Sequence, residues 1–115
     1  MKYDLEERLI KFSLSIIAFV KALPNKQEFQ VLGNQILRSG TAPALLYGEA
    51  QAAESRKDFI HKMRIGLKEL RETSVSLKIL GLLDSGQQDQ ISKIAQENNE
   101  LIAIFVKSIK TASSK

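Results

Sequence analysis

Leu5, Leu9, Phe12, Ile16, Phe19 and Leu23 follow one another at spacings of 4, 3, 4, 3 and 4. That rhythm keeps one apolar seam on a helix. Asp4 stands where it can cap the first-turn amides, and Glu6 and Glu7 suit the positive end of the helix dipole. Pro24 stops this first predicted helix, about residues 4–23. Asn25, with Glu28 three residues on, reads as a capping box for the next.

The second predicted helix covers about residues 26–53, with Phe29, Leu32, Ile36, Pro43, Leu46 and Ala50 near one face. Ser55 and Asp58 then form another start signal, and a third helix runs over about 56–81. Its seam is Phe59, Met63, Gly66, Leu70, Thr73, Leu77 and Leu80. Ser85 with Gln88 opens a fourth helix over about 86–111, whose apolar face is Ile91, Ile94, Ala95, Leu101, Ile102, Phe105 and Ile109. Lys107 and Lys110 suit its C-terminal end, and residues from about Thr111 are expected to fray. No stretch alternates as a strand. Four long helices on short links predict an all-α fold, an antiparallel up-down-up-down four-helix bundle, as one domain over residues 1–115.

Gly40, Pro43 and Gly48 interrupt the second helix. Within a helix Pro43 removes the amide that would bond the Ser39 carbonyl and crowds that carbonyl, at a cost of about 3 kcal/mol or more. One response is a break with Thr41 capping a new helix. The other is a kinked helix in which the Ser39 or Thr41 hydroxyl helps satisfy the freed groups. Apolar positions keep helical spacing on both sides of Pro43, which favours the kink.

Two helices carry apolar residues beyond what a bundle core needs. Ile10, Leu14 and Ile17 lie roughly opposite the first seam, and Val75, Ile79 and Leu82 lie opposite Leu70–Leu77. Single exposed aliphatics are ordinary, but i, i+4, i+7 stripes point to a subunit interface.

Charge sharpens the picture of the third helix. The chain is +4 overall, with 17 basic and 13 acidic residues. Residues 55–78 hold seven of the basic residues and three of the acids, which leaves ten of each elsewhere. Within that segment Lys57, His61, Arg64, Lys68 and Arg71 repeat at 4, 3, 4, 3, a basic stripe suited to tracking phosphates. The competing reading is a solvated face partly neutralised by Glu69 and Glu72. No aromatic residue interleaves the stripe, so base stacking is not indicated.

Candidate chemistry is sparse. No cysteine is present, so thiol chemistry and thiolate metal sites are excluded. With a single histidine, Asp58-x-x-His61 supplies at most half of a di-iron site. No Gly-x-Ser-x-Gly elbow supports a hydrolytic triad, and Gly33, Gly40 and Gly48 do not match a phosphate-binding loop. The reading is a protein that is not an enzyme, with no metal and no cofactor. No apolar run approaches the roughly 18 residues of a membrane span. The charged start is unlike a secretory signal, so a cytoplasmic location without membrane association is expected.

Residues 37–73, LRSGTAPALLYGEAQAAESRKDFIHKMRIGLKELRET, resemble the signature of a small four-helix-bundle family. Its members include proteins encoded in intervening sequences of bacterial large-subunit ribosomal RNA genes, sometimes labelled ribosomal proteins. The opening YDLEERLIKFSLSII is also similar to that family's, so the resemblance covers nearly the whole chain. It extends, more distantly, to the accessory variability protein of diversity-generating retroelements. The matching positions are Arg38, Ser39, Gly40, Pro43, Tyr47, Glu49, Ser55, Arg56, Lys57, Asp58 and Phe59, and none brings a catalytic role. The resemblance implies a ring-shaped homopentamer that binds structured RNA or a nucleic-acid-processing protein. Arg38, Glu49 and Arg56 are alternatively an ion-pair network fastening the second helix to the third. The expectation is therefore a non-enzymatic oligomeric bundle that binds structured RNA through its basic face. The alternative is a scaffold that recruits a polypeptide and has no nucleic-acid binding of its own.

Overall fold

The computed structural model describes residues 4–114, and the extreme ends of the expected domain, residues 1–3 and 115, lie outside the described residues. Four helices follow in order: α1 (Leu5–Lys21), α2 (Gln27–Gln51), α3 (Arg56–Gly81) and α4 (Gln88–Ser113). No strand occurs among the described residues. At about 1.5 Å per residue, a helix of 26 residues such as α3 supplies about 39 Å of the 47 Å long axis. The architecture is the expected all-α bundle.

Two of the four helix starts follow the expected capping. Asp4 Oδ1 accepts from the Glu7 amide at 3.1 Å, and Ser55 Oγ accepts from the Asp58 amide at 3.0 Å. The other two differ. A turn in which the Lys26 amide donates to the Pro24 carbonyl at 2.9 Å makes Lys26 the cap of α2. Asn25 instead accepts from the Gln30 side chain. Ahead of α4, Gly86 takes a left-handed φ of +77°, which turns the chain before a helix can begin at Ser85. Ser85 Oγ therefore accepts from the Gln87 amide, two residues on, in a local turn. The end of α4 also differs from expectation: it stays helical to Ser113, where Ser114 bonds the Lys110 carbonyl through both its amide and its hydroxyl.

The periodic seams become the core. Leu5, Leu9, Phe12, Ile16 and Phe19 are buried from α1, and Met63, Leu70, Leu77 and Leu80 from α3. Phe29 and Ile36 meet them from α2, and Ile91, Ile94, Leu101 and Phe105 from α4. Burying one such side chain contributes about 1.5–3 kcal/mol. Helices adjacent in sequence share the broad interfaces, with α2 against α3 the most extensive, while α1 and α4 meet along a narrow edge. Arg8 spans that edge, reaching Glu97 and Glu100 at 2.6 Å each, and Gln87 reaches the Ala22 carbonyl at 3.2 Å.

Pro43 lies inside α2, and the helix continues through it from Gln27 to Gln51. A break with a new cap at Thr41 is thereby excluded. The Thr41 hydroxyl donates to the Leu37 carbonyl at 2.7 Å, and Ser39 Oγ lies 2.7 Å from Thr73 Oγ1. Neither hydroxyl turns to the Ser39 carbonyl that Pro43 leaves, contrary to expectation.

The glycines have separate roles. A Cβ added at Gly40 would lie 2.8 Å from Ile16 Cγ1, so α1 sits directly on the α2 backbone there. A Cβ at Gly66 would lie 2.7 Å from Phe105 Cε2, so α4 sits on α3 in the same way. Around an added Cβ at Gly48 there is nothing within 4 Å.

A polar layer crosses the middle of the bundle. Thr73 Oγ1 donates its only proton to the Glu69 carbonyl at 2.9 Å, so the Ser39 hydroxyl must be the donor to Thr73. Asn98, fully buried on α4, donates from Nδ2 to the Leu70 carbonyl at 2.9 Å. Its Oδ1 has no partner among the described residues. The sequence reading passed over Asn98 because a polar residue adds nothing to an apolar period.

These contacts give opposite expectations for two chemically identical substitutions. Gly48→Ala should raise the unfolding free energy by about 0.5–1 kcal/mol through helix propensity alone. Gly66→Ala should lower it by about 1 kcal/mol, since overpacking costs about 1–3 kcal/mol against that same gain. Urea denaturation of both variants beside the wild type checks the pair.

Candidate functional site

Alpha-helix α3 presents one side to α2 and another to solvent, and its charges divide between them. On the inner side, Arg38 of α2 donates to Glu69 at 3.0 Å and also binds Glu72. Glu69 is only 9% exposed, so its carboxylate is a nearly buried charge held by this guanidinium. Nearer the start of α3, Lys62 donates to Glu49 of α2 at 2.8 Å. The Glu49 hydrogen bond and charge hold the Lys62 ammonium above its usual pKa, with Asp58 adding a smaller push and burial opposing. The expected fastening of α2 to α3 is present at Arg38, which takes Glu69 and Glu72, and at Glu49, which takes Lys62.

This arrangement decides the charge of the outer side. Lys57, His61, Arg64, Lys68 and Arg71 are all exposed. From Lys57 to Arg71 they cover about 21 Å of helix at a rise of about 1.5 Å per residue. Among the described residues, none of the five side chains makes a hydrogen bond or ion pair. Glu69 and Glu72, which could have neutralised the stripe, are turned to Arg38 instead. The stripe is a row of basic side chains with no counter-ion in contact among the described residues.

At the N-terminal end of α3 the stripe is also concave. A cleft of about 540 Å³ opens between the first turns of α3 and the last turn of α4. Arg56, Lys57, His61 and Arg64 line it together with Ile60 and Ala112. The sequence reading missed this cleft, because Ala112 lies in a segment expected to fray. Beyond Arg64 the stripe continues through Lys68 and Arg71 as an open surface.

The apolar stripes are placed as follows. Ile10, Leu14, Val75, Ile79 and Leu82 are exposed, Leu82 to 90%. Ile17 departs from the pattern and is half-buried. Val31, Leu37, Leu45 and Val106 are further exposed aliphatics that the seam analysis did not single out. Among the described residues no cluster of three or more His, Asp or Glu side chains could hold a metal ion, and no helix is long and apolar enough to cross a membrane.

Fold and surface together define an antiparallel four-helix bundle with one cationic helix face. The family of 23S rRNA-intervening sequence proteins matches residues 1–107, and the chain belongs to that family. It is similar to a crystal structure from Bacteroides thetaiotaomicron, a protein of unknown function from the S23 ribosomal protein family. The two are 33% identical, with a TM-score of 0.83 over 93% of this chain and 99% of that one. No curated protein matches the chain.

The Arg38 fork yields a stability expectation. Arg38→Ala leaves Glu69 buried without its cation and should lower the unfolding free energy by about 1–2 kcal/mol, the half-exposed guanidinium being partly screened. Arg38→Lys should recover only part of the loss, since an ammonium cannot fork between two carboxylates as a guanidinium does. Urea melts of the two variants at equal ionic strength give the comparison.

Proposed function

We propose that this protein is a cytoplasmic, non-enzymatic, oligomeric bundle that binds structured RNA through the outer face of α3. The observation that carries the reading is the row of five exposed, unpartnered basic side chains from Lys57 to Arg71, with Glu69 and Glu72 held by Arg38. Cations spaced about one helical turn apart can each neutralise a phosphate, and contact with the phosphate backbone requires no base recognition. The name of the family, which refers to sequences within 23S ribosomal RNA genes, accords with an RNA partner.

Assembly would make such contacts useful. The exposed aliphatic stripes Ile10/Leu14 and Val75/Ile79/Leu82 suit a subunit interface, with five subunits as the resemblance implies. Repeating the cationic face around a ring converts individually weak contacts into avidity. Leu14→Glu should dissociate the assembly while keeping the helical circular-dichroism signal, and light scattering reads the change in mass. A wild type that stays monomeric at micromolar concentration would overturn the oligomer.

The RNA reading is tested by a salt titration. Affinity for a structured RNA should fall steeply, with each neutralised phosphate adding about 0.7–0.9 to the slope of log K against log salt. The combined variant Lys57→Glu, Arg64→Glu, Lys68→Glu and Arg71→Glu should lose binding while keeping its oligomeric mass. Equal weak binding by the variant and the wild type would leave the protein-recruiting scaffold as the better reading.

A further inference from the structure

We infer that the cleft at the N-terminal end of α3 is a pocket for the terminal phosphomonoester of an RNA strand, separate in role from the open stripe beyond it. The inference rests on the RNA-binding reading and deepens it. Four features of the cleft support it. Its volume, about 540 Å³, lies in the range of small-ligand pockets. Four basic residues, Arg56, Lys57, His61 and Arg64, converge on it, while only Lys68 and Arg71 serve the rest of the stripe. No carboxylate is among the described residues that line it. Ile60 and Ala112 add apolar surface against which a terminal sugar or base can rest.

A chain end fits these features better than an internal linkage does. An internal phosphodiester carries only a single charge, spread over two unbridged oxygens. A terminal phosphomonoester carries about −1.5 to −2 near neutral pH and offers three strong acceptor oxygens. Several charge-assisted hydrogen bonds can therefore converge on it. The position also helps, because the positive end of the α3 dipole begins at Arg56. The same cations on an open surface would favour no particular phosphate. The last turn of α4 supplies the wall.

The test uses one RNA hairpin in three forms, with a 5′-phosphate, with a 3′-phosphate and with hydroxyls at both ends. Fluorescence anisotropy on the full chain should find one phosphorylated form binding about tenfold tighter than the hydroxyl form, and which form it is identifies the end recognised. In Ala112→Phe, which fills the cleft from α4, that ratio should collapse towards one. In Lys68→Glu/Arg71→Glu all three RNAs should weaken while the ratio persists. Equal wild-type affinity for the three forms would overturn the pocket and leave the stripe standing. Absence of any RNA binding would overturn the stripe, and the pocket is then judged alone with adenosine 5′-monophosphate against adenosine. The nucleotide, and not the nucleoside, should shift the NMR methyl signals of Ile60 and Ala112, and unmoved methyls would overturn the pocket independently.

Discussion

The grip of Arg38 on Glu69 and Glu72 is the contact on which the rest of the molecule turns. It sits in the widest interface of the bundle, between α2 and α3, beside the Ser39–Thr73 hydroxyl pair. A buried carboxylate is tolerable only with its cation in place, so this pair of helices has one favourable register. The outer helices then dock on that central pair where a glycine lets them in, Ile16 of α1 over Gly40 and Phe105 of α4 over Gly66. The same grip also sorts the charges of α3. With Glu69 and Glu72 drawn to Arg38, the stripe from Lys57 to Arg71 keeps its basic side chains free of those two acids. One interaction thus fixes both the packing and the electrostatic character of the exposed face.

The difference between the two ends of the cationic face comes from its surroundings rather than from its own residues. Lys57, Arg64, Lys68 and Arg71 belong to a single repeating series and have similar intrinsic chemistry. Only the first part of the series lies against the last turn of α4, and there the charges border a concavity. A helix continuing two or three residues beyond Lys110 turns a charged surface into a shaped one.

How much the sequence disclosed follows from which physical signals are local. Apolar periodicity is a local property, and the seams of α1 and α3 appear in the core almost residue for residue. The basic stripe was readable for the same reason, since spacing along one helix determines which side chains share a face. Contacts between helices were not. Arg38 could be given a role in joining α2 to α3, but nothing local names Glu69 and Glu72 as its partners. Gly40 and Gly48 look alike in the sequence, yet one is buried beneath Ile16 and the other faces open space. Asn98 was invisible because it interrupts an apolar face, and its bond to the Leu70 carbonyl exists only once α4 lies on α3. At the start of α4, the capping signal of Ser85 was overridden by the left-handed turn at Gly86. The end of α4 was underestimated because the serine that secures it, Ser114, resembles part of a polar tail.

The narrow edge between α1 and α4 has a consequence for how the chain reaches this shape. Every broad interface joins helices consecutive in sequence, so each can form as a hairpin closed by a short link. Along the narrow edge between the first helix and the last, Arg8 reaches Glu97 and Glu100, and just beyond the helix ends Gln87 reaches the Ala22 carbonyl. Such a topology has low contact order, and little loop entropy is lost before favourable contacts form. Search time is therefore short, with relaxation in the microsecond-to-millisecond range of helical bundles. A nascent chain can assemble one hairpin at a time as its helices emerge, without waiting for its final residues to meet its first.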